Sequence, residues 1–185
     1  LWIMVYKFIL ISDEVDNFFL EIKINSEATF FDFHEVILDS VGYTKDQITS
    51  FFICSNKWDK REEITLLAMD ESSEYDNYLM ESTLLEEFIS DEGQRLMYVF
   101  DNITERAFFI ELKEIIPSER MDKPLCVNKK GNPPPQQLDI DDFATTVVGK
   151  TDFDTDFYGD ENFNEDELDA DSFGDVSFDD LGHEI

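Results

Sequence analysis

Acid–base, redox and phosphoryl chemistry each need certain side chains at certain spacings, and this chain of 185 residues offers few of them. His34 is one of two histidines, and His183 lies almost at the C-terminal end. A histidine base needs a carboxylate to orient it, and Asp32 and Glu35 flank His34 in sequence. The competing reading is structural: a histidine early in a helix, held by the helix cap or an adjacent strand. Cys54 and Cys126 have no neighbouring Cys or His. They fit neither a zinc site nor a disulfide framework, and read as free thiols of a cytoplasmic protein. Asp152, Asp154 and Asp156 alternate as calcium-loop ligands do. Phe157 and Tyr158 then stand where such a loop needs glycine, and no bidentate Glu follows at the right distance. A recombinase needs a nucleophile ringed by arginines, but Arg61, Arg95, Arg106 and Arg120 are scattered. The expectation is no catalytic constellation, no metal and no cofactor.

The charge pattern is more informative. Of the chain's net charge of -30, residues 138–185 carry -16, from 17 acids and the single base Lys150. Threaded through that acid are Phe143, Phe153, Phe157, Tyr158, Phe163, Phe173 and Phe178. A segment this charged and this poor in aliphatic residues cannot repay the entropy of folding alone, so it is expected to be disordered. Regularly spaced rings are not needed for solvation. They suit a mobile ligand for a basic surface with apolar pockets. Residues 1–137 are acidic too, with 27 acids against 13 bases. This opposes direct binding to nucleic-acid phosphates or anionic membranes, and favours basic protein partners.

The elements that must position any site are readable by periodicity. Residues 5–12 and 18–24 read as an antiparallel hairpin, with Phe18, Leu20, Ile22 and Ile24 on one face of its second strand. Ser26 or Thr29 caps a helix whose Phe30, Phe33, Ile37 and Val41 recur at helical spacing, and Gly42 ends it. Residues 48–55 and 63–69 read as strands, and residues 70–81 as an acidic loop. Thr83 is expected to cap a second short helix containing Leu84, Leu85, Phe88 and Ile89, stopped by Gly93. Residues 96–101 and 107–115 read as a last hairpin. Pro117 ends regular structure, leaving residues 118–137 as a loop that includes Pro133, Pro134 and Pro135. The apolar run of residues 1–11 is too short to span a bilayer and lacks the flanks of a signal peptide. The expected fold is α+β: a compact mixed or antiparallel sheet of β-hairpins with two covering helices, followed by the disordered tail. The domain bounds are 4–137 and 138–185.

Between the third and fourth strands lies a basic–aromatic cluster of Lys57, Trp58, Lys60 and Arg61. It suits contact with a phosphate or an acidic segment. Its alternative is a solvated connection with Trp58 folded onto the core. The doublets Phe18-Phe19, Phe51-Phe52 and Phe108-Phe109 must each put one ring on either face of a strand. One sheet face is therefore either covered by helices or left open as a docking patch.

The body resembles the plasmid pRiA4b ORF-3-like family, whose members also carry a transposon-passenger "TnpR" label. The helix Phe30-Phe31-Asp32-Phe33-His34-Glu35-Val36-Ile37, running on to Val41-Gly42-Tyr43, is similar to the family's first helix. Leu96 to Asp101 and Phe109 to Leu112 are similar to two of its strands, and Pro124-Leu125-Cys126 with Gly131 to Pro135 to its closing proline loop. The resemblance covers about residues 4–137, leaves the tail outside, and implies a compact α+β fold with no settled activity. The chain departs from the family after Asp101, where Asn102 to Phe108 replace an expected Phe-Gly-Asp followed by Trp and His.

Three functions are compatible with these residues. The first is a non-enzymatic acidic interaction protein that docks on a basic nucleic-acid-handling complex, such as RNA polymerase or the ribosome. Its tail would act as a nucleic-acid-like ligand, carboxylates standing for phosphates and rings for bases. Its binding residues would be Phe153, Phe157, Tyr158, Phe163, Phe173 and Phe178, with Lys57, Trp58 and Arg61 on the body. The second is a mobile-element accessory protein acting through a DNA-binding partner. The third is an enzyme with a site near His34 and Asp101.

Overall fold

A computed structural model describes residues 3–68 and 77–139 of the chain. The expected disordered tail lies outside the described residues, apart from its first two positions. The chain divides into two units, Leu1–Leu138 and Asp139–Ile185. Among its described residues, the first unit is built on a mixed eight-stranded sheet and a single α-helix.

The opening hairpin forms from β1 (Met4–Ser12) and β2 (Phe19–Asn25), paired antiparallel from Val5–Asn25 to Ile11–Phe19. Next comes α1 (Phe30–Val41). Its boundaries follow from its caps. The Thr29 hydroxyl accepts from the Asp32 N–H at 3.1 Å, while the Asp32 carboxylate accepts from the Thr29 N–H at 3.0 Å, a reciprocal capping box. Gly42, at φ 72°, takes the left-handed turn that ends the helix and bonds back to the Leu38 carbonyl.

Then follow β3 (Ser50–Cys54), β4 (Lys60–Thr65), β5 (Asn77–Leu79), β6 (Arg95–Asp101), β7 (Arg106–Pro117) and β8 (Leu125–Lys130). The spatial order is β5-β4-β3-β6-β7-β1-β2-β8, with only β4–β5 parallel. One face of the sheet receives α1. Phe33 lies between Phe8 of β1 and Phe51 of β3, with ring centroids 4.6 and 5.3 Å apart. Phe30, Ile37 and Leu38 join Leu20, Ile22, Tyr98, Phe108 and Ile110 in one sealed core.

Three expectations need correction. The second helix is a single 3-10 turn, Leu85–Glu87, introduced by Leu84 rather than Thr83. Its donors are used elsewhere: Leu85 N–H goes to the Ala28 carbonyl and Glu86 N–H to Ser26. Those first amides would be free in any helix; the turn stops because the Gln94 side chain takes the Ser90 N–H, which a longer helix would give to Glu86, at 3.1 Å and donates to the Phe88 carbonyl. The acidic loop of residues 70–81 contains β5, three residues too short for any periodic pattern. The loop of residues 118–137 contains β8, whose three apolar residues stand together before three polar ones and so give no alternation signal. Pairing with β2 makes it a strand.

After β8 the chain turns at Gly131, at φ 72°. A Cβ there would sit 2.6 Å from the Asn17 carbonyl oxygen, so the turn needs glycine. The proline segment then runs beneath the end of α1. Tyr43 donates to the Pro134 carbonyl, and the Gln136 amide brackets Thr44, accepting its N–H at 2.8 Å and donating to its carbonyl at 3.0 Å.

Candidate functional site

The sheet face away from α1 carries the feature best suited to recognition. Strand register places one residue from each of five strands in a continuous row. Phe19 opposes Ile11, Ile11 opposes Phe109, Phe109 opposes Met97, and Met97 opposes Phe52. Each doublet therefore splits as alternation requires: Phe18, Phe51 and Phe108 are buried under α1, while Phe19, Phe52 and Phe109 stay half-buried on the other side. Ile11 keeps 46% of its surface exposed. Every described strand in the row contributes an apolar side chain that the core does not use.

The β3–β4 turn folds over this row. Ser55 builds the turn: its hydroxyl accepts the N–H groups of Lys57 and Asp59, each at 3.1 Å, and donates to the Asp59 carboxylate at 2.9 Å. Trp58 takes a left-handed conformation at φ 68°. Its ring meets Phe109 edge-on with centroids 5.0 Å apart, and the Arg95 guanidinium lies 4.9 Å above the indole. Arg95 also donates to the Asn56 carbonyl and pairs with Glu111 at 3.7 Å. The Lys60 ammonium stands 4.5 Å from the Phe52 ring. The result is an aromatic ridge held by cation–π contacts and bordered by charges of both signs.

Of the expected site residues, Trp58 sits on this ridge, folded onto the sheet's open face instead of the core. Lys57 and Arg61 are exposed beside it. Phe153, Phe157, Tyr158, Phe163, Phe173 and Phe178 lie outside the described residues. Sequence reading missed Arg95 and Phe109 as partners of Trp58, and Phe52 as the partner of Lys60. The doublets signalled two faces, but only strand order brings β7 and β6 beside the β3–β4 turn.

His34 and Asp101 have structural partners. His34 is 2% exposed, its Nδ1 is 2.7 Å from the Tyr98 hydroxyl, and the Thr49 hydroxyl lies at 3.2 Å. Burial, opposed by Glu35 and Asp39 and aided by Lys45, lowers its pKa to about 4, so the ring is neutral near pH 7. Burial likewise raises the Tyr98 hydroxyl. Asp101 closes the β6–β7 turn, accepting from the Ile103 N–H at 3.0 Å and the Thr104 hydroxyl at 2.7 Å. Partial burial raises its pKa, but these bonds and Arg106 outweigh that and hold the carboxyl below its usual range. Arg106, 8% exposed, makes a bidentate pair with Glu14 at 2.8 Å on both branches. It also donates to the carbonyls of Pro135 at 2.6 Å and Gln136 at 3.2 Å. This clasp ties the proline segment to two hairpin turns. The Cys54 thiol is buried, and that burial pushes it up to about 11, which makes it a poor nucleophile. Among the described residues no group of three His, Cys, Asp or Glu is placed to hold a metal, and no helix is long and apolar enough to cross a membrane.

The profile of the plasmid pRiA4b ORF-3-like proteins matches residues 8–170. The chain belongs to that family. The match corrects the expected extent of the family pattern. It runs past the proline segment into the acidic region, taking in Phe143, Phe153, Phe157, Tyr158 and Phe163, and stops short of Phe173 and Phe178. This pRiA4b ORF-3-like chain also shares its fold with a crystal structure described as a protein of unknown function, MM3350 from Methanosarcina mazei Go1. The TM-score is 0.57 at 15% identity, over 70% of this chain and 71% of that one. Comparison with curated proteins gave no match.

Proposed function

We propose that this chain is a non-enzymatic interaction protein of the cytoplasm that docks on a basic, nucleic-acid-handling complex such as RNA polymerase or the ribosome. The sheet's open face would make the apolar contact. The acidic C-terminal segment would act as a nucleic-acid-like ligand through Phe153, Phe157, Tyr158, Phe163, Phe173 and Phe178. The observation that carries this reading is the five-strand apolar row with its Trp58–Arg95 ridge. A contiguous apolar patch rimmed by charge on an otherwise acidic body is the usual form of a protein-binding surface. The family match reaching residue 170 adds support, since it includes part of the acidic aromatic segment.

The geometry lends little to an enzyme reading around His34 and Asp101. One ring is sealed in the core, and the other side chain is committed to a turn and to Arg106. The family's plasmid-derived name suits a mobile-element accessory equally well, and one experiment separates the two. Full-length chain is purified from native cells with its partners. Recovery of polymerase or ribosome supports docking on those machines, and recovery of a transposase or plasmid DNA-binding protein supports the accessory reading. With the recovered partner, affinity is then measured across a salt series. Replacing Phe153, Phe157, Phe163, Phe173 and Phe178 with Ser keeps every acid. It is expected to weaken binding strongly and leave the salt dependence nearly unchanged. Equal affinity for wild type and this variant would sink the ligand role of the rings.

A further inference from the structure

One stretch of the first unit is held unlike the rest. From Ser118 to Gln137 a single side chain, that of Pro134, is buried. Five of the six residues of β8 are exposed and none is buried, whereas its partner β2 buries Leu20, Ile22 and Ile24. The β2–β8 ladder is also broken by a bulge at Val127, since Glu21 pairs with Asn128 but Ile22 with Cys126. Few buried apolar contacts and a solvent-exposed ladder mark the part of a fold that opens at lowest cost.

What holds this stretch is polar and gathered at its two ends. At the start, the Ser118 N–H donates to the Ile3 carbonyl at 2.9 Å. The Met121 N–H donates to the Asn25 side-chain carbonyl at 2.9 Å, and the Asn25 amide donates back to the Met121 carbonyl at 2.7 Å. At the finish stands the clasp described above. Arg106 donates to the carbonyls of Pro135 and Gln136, Tyr43 to that of Pro134, and the Gln136 side chain brackets Thr44. Between the ends, Lys129 donates to the Ser40 carbonyl at 2.7 Å.

The clasp is built so that it can be undone. A buried guanidinium stripped of its counter-ions is costly. Arg106 keeps its own: Glu14 at 2.8 Å and Asp101 at 3.8 Å both lie outside residues 118–137. The proline segment gives Arg106 only carbonyl oxygens, which water satisfies once they are released. Its departure breaks hydrogen bonds and leaves no uncompensated charge. We propose that residues 118–137 form a latch that opens as one unit while α1 and the other strands stay closed, and that the clasp at Tyr43, Thr44 and Arg106 controls the opening. Opening frees the edge of β2, including Phe19, which pairs with Lys130 and ends the five-strand apolar row. The latch is read from the fold alone and stands independently of the function given above.

The test is hydrogen exchange of the full-length chain, followed amide by amide across low denaturant concentrations. In the wild type, Met121 and residues 125–130 are expected to share one opening free energy, lower than that of α1 and β1. The clasp is then weakened from a distance by the Y43F/Q136A double variant. It removes the bonds to Pro134 and Thr44 but keeps the ring that packs on Phe100 and Phe108. Exchange at Met121 and residues 125–130 should speed up about ten-fold or more, although neither substituted side chain bonds to them, while α1 and β1 keep their protection. Acceleration confined to Thr44 and Gln136 overturns the proposal, because clasp and strand then open separately. Equal acceleration through α1 and β1 overturns it too, since the whole fold then loosens together. So does an unchanged pattern, which would remove the clasp from control.

Discussion

The two faces of this sheet are made from adjacent residues of the same doublets, yet they do different work. Phe51 is fully buried between Phe30, Phe33 and Tyr98, whereas its neighbour Phe52 lies half-buried beneath Lys60. The inner face is sealed by α1, and its few polar groups, such as His34, are satisfied inside. The outer face keeps apolar rings next to water and surrounds them with Lys60, Arg95, Glu111 and Glu63. Apolar surface left exposed across five strands adds nothing to the core's stability. The difference teaches that strand alternation divides each pair, one ring serving the core and the other left on the open face that we propose as a docking surface.

The largest test of that division compares Phe51→Ala with Phe52→Ala. Emptying the inner site is expected to cost about 3–5 kcal/mol, as large-to-small core substitutions do, and the outer one about 1 kcal/mol or less. Urea denaturation of both variants measures this, and equal losses would break the contrast between faces.

A second test uses pH. His34 has a folded pKa near 4 against an ordinary value of 6.5. Between these values the unfolded chain binds the proton more readily than the folded one, so stability falls as pH drops from about 6.5 to 4. The full loss is roughly 3 kcal/mol if the shift is realised completely. His34→Gln should be less stable at neutral pH, because Tyr98 and Thr49 lose their partner. It should also lack this component of the acid sensitivity. An unchanged slope of stability against pH in the variant would assign that sensitivity to carboxylates instead.

Smaller is the helix cap. Thr29→Ala removes one half of the capping box and is expected to destabilise by about 1 kcal/mol. Thermal unfolding detects it, and a null effect would mean that the Asp32 carboxylate caps the helix unaided.

The smallest expected stability change belongs to the ridge. Trp58→Ser should alter stability by about 1 kcal/mol or less while removing the ring that Arg95 covers and Phe109 meets. Loss of partner binding with an intact unfolding midpoint would sharpen the contrast between faces. A fall comparable to that of Phe51→Ala would make Trp58 a core residue in effect.

Much of this was legible from residues alone. Helical spacing of Phe30, Phe33, Ile37 and Val41 with Gly42 after determined α1 and its end, because caps and periodicity are local properties, while the structure chose Thr29 over Ser26 as its cap. Alternation likewise determined the two hairpins and the splitting of each phenylalanine doublet, and the acid–aromatic character of residues 138–185 is fixed by composition. Tertiary structure alone decided that β5 and β8 are strands, because each is set by backbone pairing with a distant partner and carries little pattern of its own. It also decided that Leu85–Glu87 is one turn and no longer helix, because the Gln94 side chain takes the Ser90 N–H and the Phe88 carbonyl that a longer helix would use. Strand order brought Trp58, Arg95 and Phe109 together. It also set His34 against Tyr98, 64 positions away. Such contacts depend on which strands lie side by side, and no local feature of the chain encodes that.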